Sequence, residues 1–347
     1  MPIRRATDRG GGRGRDVPEG WTRDAVIDFA RSFQPACVLA AAADLDVFRA
    51  LAEGPLTAGD LAVRVQGDVR ATAVLLDALA ALRVLSKENG VYSLSEGIGE
   101  TLGRTGRGSV LAMVQHQANC LRRWTTLAAT VRGGRPCPRT PSVRGEAADQ
   151  EAFILAMNDL ASTTADALIR RLEPIAFRCL LDVGGASGTW TVAFLRACGS
   201  GRAVLFDLPP AIVLARRRFA EEGLEDRVTL VAGDFYSDPL PGGADLAWVS
   251  AIVHQNSREQ NRDLFRKVAA ALVSGGRIAI RDVLMEPSRT EPVAGALFAV
   301  NMLVGSEGGG TYTIDEMVED LDASGFGETA VAHREPSMNS ILTARKR

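Results

Sequence analysis

The stretch Leu180 to Trp190, LLDVGGASGTW, constrains this chain more than any other. It carries an apolar strand into a carboxylate, then a glycine turn, then the start of a helix. A parallel strand that stops at such a bend and feeds a helix opens a ligand crevice at its carboxyl end. In the dinucleotide fingerprint G-x-G-x-x-G, a pyrophosphate rests on the N-terminus of the following helix. Here Ala186 occupies the third glycine position, and Asp182 lies two residues ahead of Gly184. A carboxylate at that point repels phosphate and attracts a cation. Taken alone, the loop also fits a tight strand-to-helix turn that binds nothing.

From Leu180 onward, CLLDVGG, AVLFDL, RVTLVAGDF, ADLAWVSAIV and GRIAIRDVL alternate with helical or loop segments. That alternation predicts an α/β fold with a doubly wound, Rossmann-like parallel sheet, closed by a hairpin of ETAVAHRE and SILTARKR. If Asp182 marks one strand end, the next strand should also end in an acid able to accept from two ribose hydroxyls. Asp207 in VLFDLPP stands there, although an Asp before Leu208-Pro209-Pro210 also fits a cap on the following helix. The third strand ends in GDFY, placing Asp234 to meet an adenine amino group and Phe235 to stack on the ring. Three acidic strand ends in register point to S-adenosylmethionine (SAM), a cationic adenosine derivative.

The N-terminal part reads differently. At 347 residues the chain is long enough for two domains. Residues 1–18 read as a flexible leader, 19–150 as a mainly helical domain and 151–347 as the sheet domain. Alanine and aliphatic residues at helical spacing from Trp21 to Ala52 predict one or two buried helices. Thr57 caps AGDLAVRV, DVRATAVLLDALAALRVL forms the next helix, and Asn89-Gly90 turns a hairpin within KENGVYSL. Three helices and a hairpin make a winged-helix arrangement, a module that often reads DNA with its last helix. That helix is here almost wholly apolar, which suits a core or a dimer interface and argues against DNA. Ser109 to Val131 reads as a helix with the polar patch QHQANCLRRW, RGGRPCPRTPSVRGE as a loop, and Glu151 to Leu172 as one long helix.

Charge narrows the partners. Forty Lys and Arg against 42 Asp and Glu give no electrostatic case for nucleic acid or an acidic membrane, so a small molecule is the expected partner. No apolar run is expected to reach membrane-spanning length, and ATDRGGGRGR after Arg4 and Arg5 is no export signal. Five dispersed cysteines without a C-x-x-C pair fit a reducing cytoplasm. The apolar helices of the first domain predict a homodimer.

The fourth strand leads into SAIVHQNSREQN, so His254 sits beyond its carboxyl end, on the crevice side. It reads either as a satisfied structural histidine or as a general base able to take a hydroxyl proton near neutral pH. Gln255 and Asn256 are poor metal ligands, and no metal is expected.

At this point the chain resembles the plant-type and bacterial small-molecule O-methyltransferases. The matching text is LDVFRALAEGPLTAGDLA, GVYSLSEG, LLDVGGASG, FDLP, GDFYSDPLP, the surroundings of His254, SGGRIAIRDVL and GGGTYTIDEMVEDLDASGF. The resemblance implies a winged-helix-like dimerisation domain followed by a seven-stranded SAM-binding sheet. It implies a SAM site of Asp182, Gly184, Gly185, Ser187, Asp207, Leu208, Asp234 and Phe235, with the backbone of Ser250 at the adenine. It also implies Met157 and Met302 at the acceptor, with the segments holding His116 and Asn301 bordering the same cavity. A solvated face for His116 and helix packing for Asn301 are the alternatives. His254 then acts as base and Asp282 in IRDVL orients it. Family members usually read His-Asp-Trp where this chain has His254-Gln255-Asn256, and Thr311 replaces a second acidic partner of the histidine. These departures leave C- or N-methylation as an alternative to methylation of an aromatic or polyketide-like hydroxyl. A SAM-sensing regulator without catalysis is the other alternative.

Overall fold

The computed structural model of the chain describes residues 20–103, 108–172 and 175–347; the leader expected at residues 1–18 lies outside them. The first region contains α1 (Arg23–Arg31), α2 (Phe33–Asp44), α3 (Val47–Ala52), β1 (Leu56–Thr57), α4 (Ala58–Arg64), α5 (Val69–Ala81), β2 (Leu85–Glu88) and β3 (Val91–Leu94). Thr57 Oγ1 accepts the amide of Asp60 and Asp68 that of Ala71, so both internal helices begin on capping side chains. Asn89 and Gly90 both take positive φ, as a two-residue hairpin turn with right-handed strand twist requires. Leu76 and Leu79 of α5 are buried with Phe48, Leu61 and Tyr92, while Val69, Val74 and Leu82 along the same helix and its end are exposed.

Two expectations for this region are corrected. Trp21 to Ala52 forms three helices, and only the end of α2 together with α3 is buried. Along α1 and the start of α2, Trp21, Val26, Phe29 and Phe33 are each about half exposed, at 57%, 49%, 53% and 55%. Arg23–Asp44 is also long and apolar enough, by length and composition, to cross a membrane. Asp24, Asp28 and Arg31 share α1 with these apolar residues, so α1 carries an amphipathic stripe rather than an apolar cylinder.

Four helices follow: α6 (Leu111–Trp124), α7 (Leu127–Gly133), α8 (Glu146–Ser162) and α9 (Ala165–Arg170). The two long helices expected here are each broken at a threonine pair. Thr125 and Thr126 hydroxyls donate to the carbonyls of Arg122 and Arg123, both at 2.7 Å, and the Thr164 hydroxyl donates to Ala161. Such local bonds compete with continuation of the helical ladder.

The remaining elements are β4 (Cys179–Val183), α10 (Thr189–Ala197), β5 (Arg202–Asp207), α11 (Pro209–Glu222), β6 (Val228–Ala232), β7 (Ala244–Ser250), α12 (Arg258–Ala271), β8 (Leu272–Asp282), β9 (Leu284–Met285), α13 (Val293–Leu303), β10 (Tyr312–Thr313), α14 (Ile314–Asp322), β11 (Phe326–His333) and β12 (Ser340–Lys346). Seven of the strands form one sheet in the order β11-β12-β8-β7-β4-β5-β6. The five from β6 to β8 are parallel, while β12 runs antiparallel to β8 and β11, so the closing hairpin makes the sheet mixed. Strand order reverses at β4, which pairs with β5 on one edge and β7 on the other. A crevice opens there, at the carboxyl ends.

One buried ion cluster sets the flank of that crevice. Asp320 of α14, 1% exposed, receives Arg258 at 2.8 Å and Arg262 at 2.6 Å from α12. Removing one partner of a buried charge cluster costs roughly 3–5 kcal/mol, and both arginines are partly exposed and can rehydrate, which places this one at the low end. Asp320→Ala is therefore expected to lower unfolding stability by about 3 kcal/mol in urea titration, and a loss below about 1 kcal/mol would show that the cluster holds nothing.

Candidate active site

The glycine loop between β4 and α10 is packed from below. Gly184 and Gly188 take φ of 68° and 81°, and a Cβ on Gly185 would meet Leu205 Cγ at 2.7 Å and Asp182 Cγ at 2.8 Å. No side chain fits under this turn, so the backbone lies directly on the acid. Asp182 is 1% exposed and accepts the Thr191 hydroxyl at 2.5 Å. Asp207 points back at the same loop: one oxygen accepts the Ala186 amide at 2.7 Å and the other accepts that of Leu208 at 2.6 Å. Leu208, not Asp207, is the N-cap of α11, so Asp207 braces the loop rather than capping the helix. Ser187 is buried, its hydroxyl 3.4 Å from that of Thr189.

The electrostatics of this corner fit a cationic ligand. Burial pushes Asp182 up to about 7, with the charge of Asp207 adding to the rise and the Thr191 hydroxyl opposing it. Burial also pushes Asp207 up, against the amides of Ala186 and Leu208. Two carboxyls held above their usual range share one loop, and a sulfonium or ammonium group brought there favours their ionised forms.

Beyond β6, Asp234 accepts the Tyr236 amide at 2.9 Å and donates its own amide to Asp238 at 2.8 Å. Phe235 reaches the glycine loop, its ring 3.7 Å from where a Cβ on Gly184 would lie. Lys267 of α12 fixes this bend by donating to the carbonyls of Phe235, Tyr236 and Asp238 at 2.7–3.0 Å. At the end of β7, the Ser250 hydroxyl accepts from Arg281 at 3.0 Å, which leaves its backbone at the crevice edge.

His254 sits in a single 3-10 turn, Val253–Gln255, past β7. Its Nδ1 faces both Asp282 oxygens, at 3.0 and 2.9 Å, across the top of β8. Both residues are buried, and the imidazole meets the edge of Phe298 of α13 at 4.7 Å. A carboxylate on Nδ1 selects the tautomer protonated there and leaves Nε2 as the proton acceptor. Strand alternation puts Asp282 toward His254, while Arg281 stacks on Trp190 at 4.5 Å. Thr311 is buried near the same turn, where the Gly310 amide donates to the His254 carbonyl at 2.8 Å.

Asn256 stands inside the protein rather than in the cavity. It accepts the Tyr236 hydroxyl at 2.6 Å and donates to Asn261 at 3.0 Å, while Asn261 donates to the Val253 carbonyl at 3.0 Å and the Tyr312 hydroxyl donates to the Asn256 carbonyl. This chain ties the His254 turn to the Asp234–Tyr236 bend. Asn158 does similar work at the loop, accepting Thr189 at 2.8 Å and also Arg218. Neither role nor that of Lys267 was read from the sequence, because each depends on partners as far as 20 to 60 positions away or on backbone carbonyls.

The residues expected at the acceptor lie on α6, α8 and α13. His116 is packed against Phe153 of α8 at 5.2 Å and is pushed down to about 4 by burial and the charge of Arg123. It is therefore neutral at pH 7 and does not lie on a solvated face. Met157 and Met302 are half-buried on α8 and α13. Asn301 accepts the Trp124 indole at 2.9 Å, so its amide oxygen joins α13 to α6.

Asp182 gives this corner a pH signature. Its folded value of about 7 lies above the ordinary 3.8, so the stability it contributes is full below about 4 and lost as pH rises through 7. Asp182→Asn, which cannot ionise, is expected to gain melting temperature relative to the parent from pH 4 to 7 and to hold that difference above. A pH-independent difference would contradict the assignment.

Known proteins resemble this chain over most of its length. An O-methyltransferase domain profile matches residues 124–327 and an O-methyltransferase dimerisation domain profile matches residues 27–98. The chain is 29% identical over 346 residues to 3-hydroxy-5-methyl-1-naphthoate 3-O-methyltransferase of Streptomyces sahachiroi, covering 96% of this chain and 99% of that one. It is 30% identical over 307 residues to tetracenomycin polyketide synthesis 8-O-methyl transferase TcmO of Streptomyces glaucescens, covering 87% and 90%. Human N-acetylserotonin methyltransferase, solved in complex with SAM, shares the fold with a TM-score of 0.78 at 24% identity over 95% and 99% of the two chains. The domain profile spans more than half of the sequence, and this chain belongs to the SAM-dependent O-methyltransferase family.

Proposed function

We propose that this enzyme methylates a hydroxyl of a small aromatic or polyketide-like metabolite, with His254 as general base and Asp282 as its positioning partner. The single observation that carries the reading is the contact of His254 Nδ1 with both Asp282 oxygens. The relatives named above, one a 3-hydroxy-5-methyl-1-naphthoate methyltransferase and the other an O-methyltransferase of tetracenomycin polyketide synthesis, support the acceptor class.

SAM, when bound, supplies a methyl group on a positively charged sulfur. The residues of this chain hold and orient the partners. The loop at Gly184, Gly185 and Ser187, lying over Asp182, receives the cationic end; Asp207 with the Leu208 turn takes the ribose hydroxyls; Asp234 and Phe235 take the adenine, with the Ser250 backbone beside them. The acceptor lies between α6, α8 and α13, against Met157 and Met302. His254 Nε2 accepts the hydroxyl proton as oxygen attacks, and Asp282 stabilises the imidazolium that forms. Orientation in a closed site supplies much of the remaining acceleration. A reducing, cytoplasmic setting belongs to the same reading and rests on the dispersed cysteines.

The homodimer is part of this proposal. The dimerisation profile begins at residue 27, within the exposed apolar stripe of Val26, Phe29 and Phe33. A second copy is the occupant that would cover it.

His254→Ala is expected to lower turnover at least tenfold, within the roughly 10² to 10⁴ range of general-base contributions, with SAM affinity within threefold of the parent. Unchanged turnover would show that positioning alone suffices. For the assembly, a Phe29→Glu/Phe33→Glu double variant is expected to sediment as a monomer at micromolar concentration where the parent sediments as a dimer. A dimeric double variant would move the interface elsewhere.

A further inference from the structure

Helix α6 presents two polar stripes at helical spacing. Gln115 and Arg122 face the first region: Gln115 donates to the Ala43 carbonyl at 3.2 Å and Arg122 pairs with Asp44 at 2.6 Å. His116, Cys120 and Arg123 form the other stripe, at i, i+4 and i+7. It faces Phe153 of α8 through His116, and the end of α13 through Arg123. One guanidinium nitrogen of Arg123 lies 3.2 Å from where a Cβ on Gly305 would stand, in the turn just past α13. The neighbouring Trp124–Asn301 bond locks the two helices together at this point.

Arg123 is a partly buried cation whose guanidinium has no direct partner. Among the described residues it forms neither a hydrogen bond nor an ion pair, although its neighbour Arg122 is paired. The charge of Asp149 acts on it from a distance, while the Asp149 oxygens take their hydrogen bonds from the Ser142 amide at 2.8 Å and the Ser142 hydroxyl at 2.5 Å. Arg139, from the loop between α7 and α8, adds a second positive charge rather than a partner. Burial and then Arg139 push the Arg123 guanidinium below its usual range, and the neutral His116 does not offset the charge. A half-buried guanidinium with no direct partner is free to receive one, and its planar fork matches a carboxylate.

The position relative to the base is set by α13. Phe298 touches His254 and Gly305 touches Arg123, seven residues apart, which is roughly 10 Å along a helix. We propose that Arg123 binds an anionic carboxylate substituent of the aromatic acceptor, at the end of the cavity opposite the hydroxyl presented to His254. This rests on the reading that the acceptor occupies the space between α6, α8 and α13. It makes Arg123 a specificity-determining residue, and it restricts the acceptor class to hydroxylated aromatic acids.

The test uses a hydroxynaphthoic acid and its neutral carboxamide, titrated by calorimetry into the full-length protein saturated with S-adenosylhomocysteine. The parent is expected to bind the acid at least tenfold more tightly than the carboxamide. Arg123→Gln is expected to abolish that gap, weakening the acid at least tenfold and the carboxamide less than threefold, and Arg123→Lys to restore part of it. Unchanged S-adenosylhomocysteine affinity in both variants serves as the folding control. Equal binding of acid and carboxamide to the parent, or an equal loss of both in Arg123→Gln, overturns the proposal. Mass spectrometry of the same mixtures with SAM separates it from the reading beneath it: an Arg123-dependent gap without methylation of the hydroxyl refutes the hydroxyl-at-His254 placement and leaves the carboxylate site standing.

Discussion

Strand β4 pairs with a parallel neighbour on each edge, and everything functional in this protein follows from that constraint. The chain must leave β4 toward β5 on one side and return later to β7 on the other, so the loops above it part. Asp182, Asp207 and the bend at Asp234 border the gap from β4, β5 and β6, while Ser250, His254 and Asp282 border it from β7 and β8. The proposed cofactor side and the proposed base side are thus two halves of one crevice, divided by strand order.

A crevice of this kind needs its rim held still, and the holding is done by polar contacts hidden beneath it. Lys267 gathers three carbonyls of the Asp234–Tyr236 bend. Asn256 and Asn261 then join that bend to the His254 turn. The same region explains the departure from the family's His-Asp-Trp text: Asn256 fills a fully buried polar position, where each of its hydrogen bonds replaces one lost to water. Buried networks with every member satisfied fix geometry tightly, and a base within hydrogen-bond reach of its proton depends on that.

Much of this was legible in the sequence because it is local. The strand ends, the glycine loop and the Asn89-Gly90 hairpin follow from residue order and period, while the pairing of His254 with Asp282 was implied by the family resemblance. Helix breaks were not legible: Thr125 and Thr164 divert their hydroxyls to carbonyls three residues back, and composition does not announce that. Nor was the exposure of α1. An apolar stripe looks the same in sequence whether this chain or a second copy covers it. Asn256, Lys267, Asn158 and Arg123 were missed because their meaning lies in distant partners, or for Arg123 in the lack of one.

The central claim is that His254, oriented by Asp282, takes the proton of the acceptor hydroxyl. A general base matters most when that hydroxyl is a weak acid, so its removal should make rate depend steeply on acceptor acidity. The direct measurement is the single-turnover methylation rate for a series of ring-substituted phenolic acceptors of graded acidity, in the parent and in His254→Gln. With His254 as base, the dependence on phenol acidity is shallow in the parent and much steeper in the variant, the two converging for the most acidic acceptors. Parallel dependences, with the variant slower by a constant factor throughout, would contradict it.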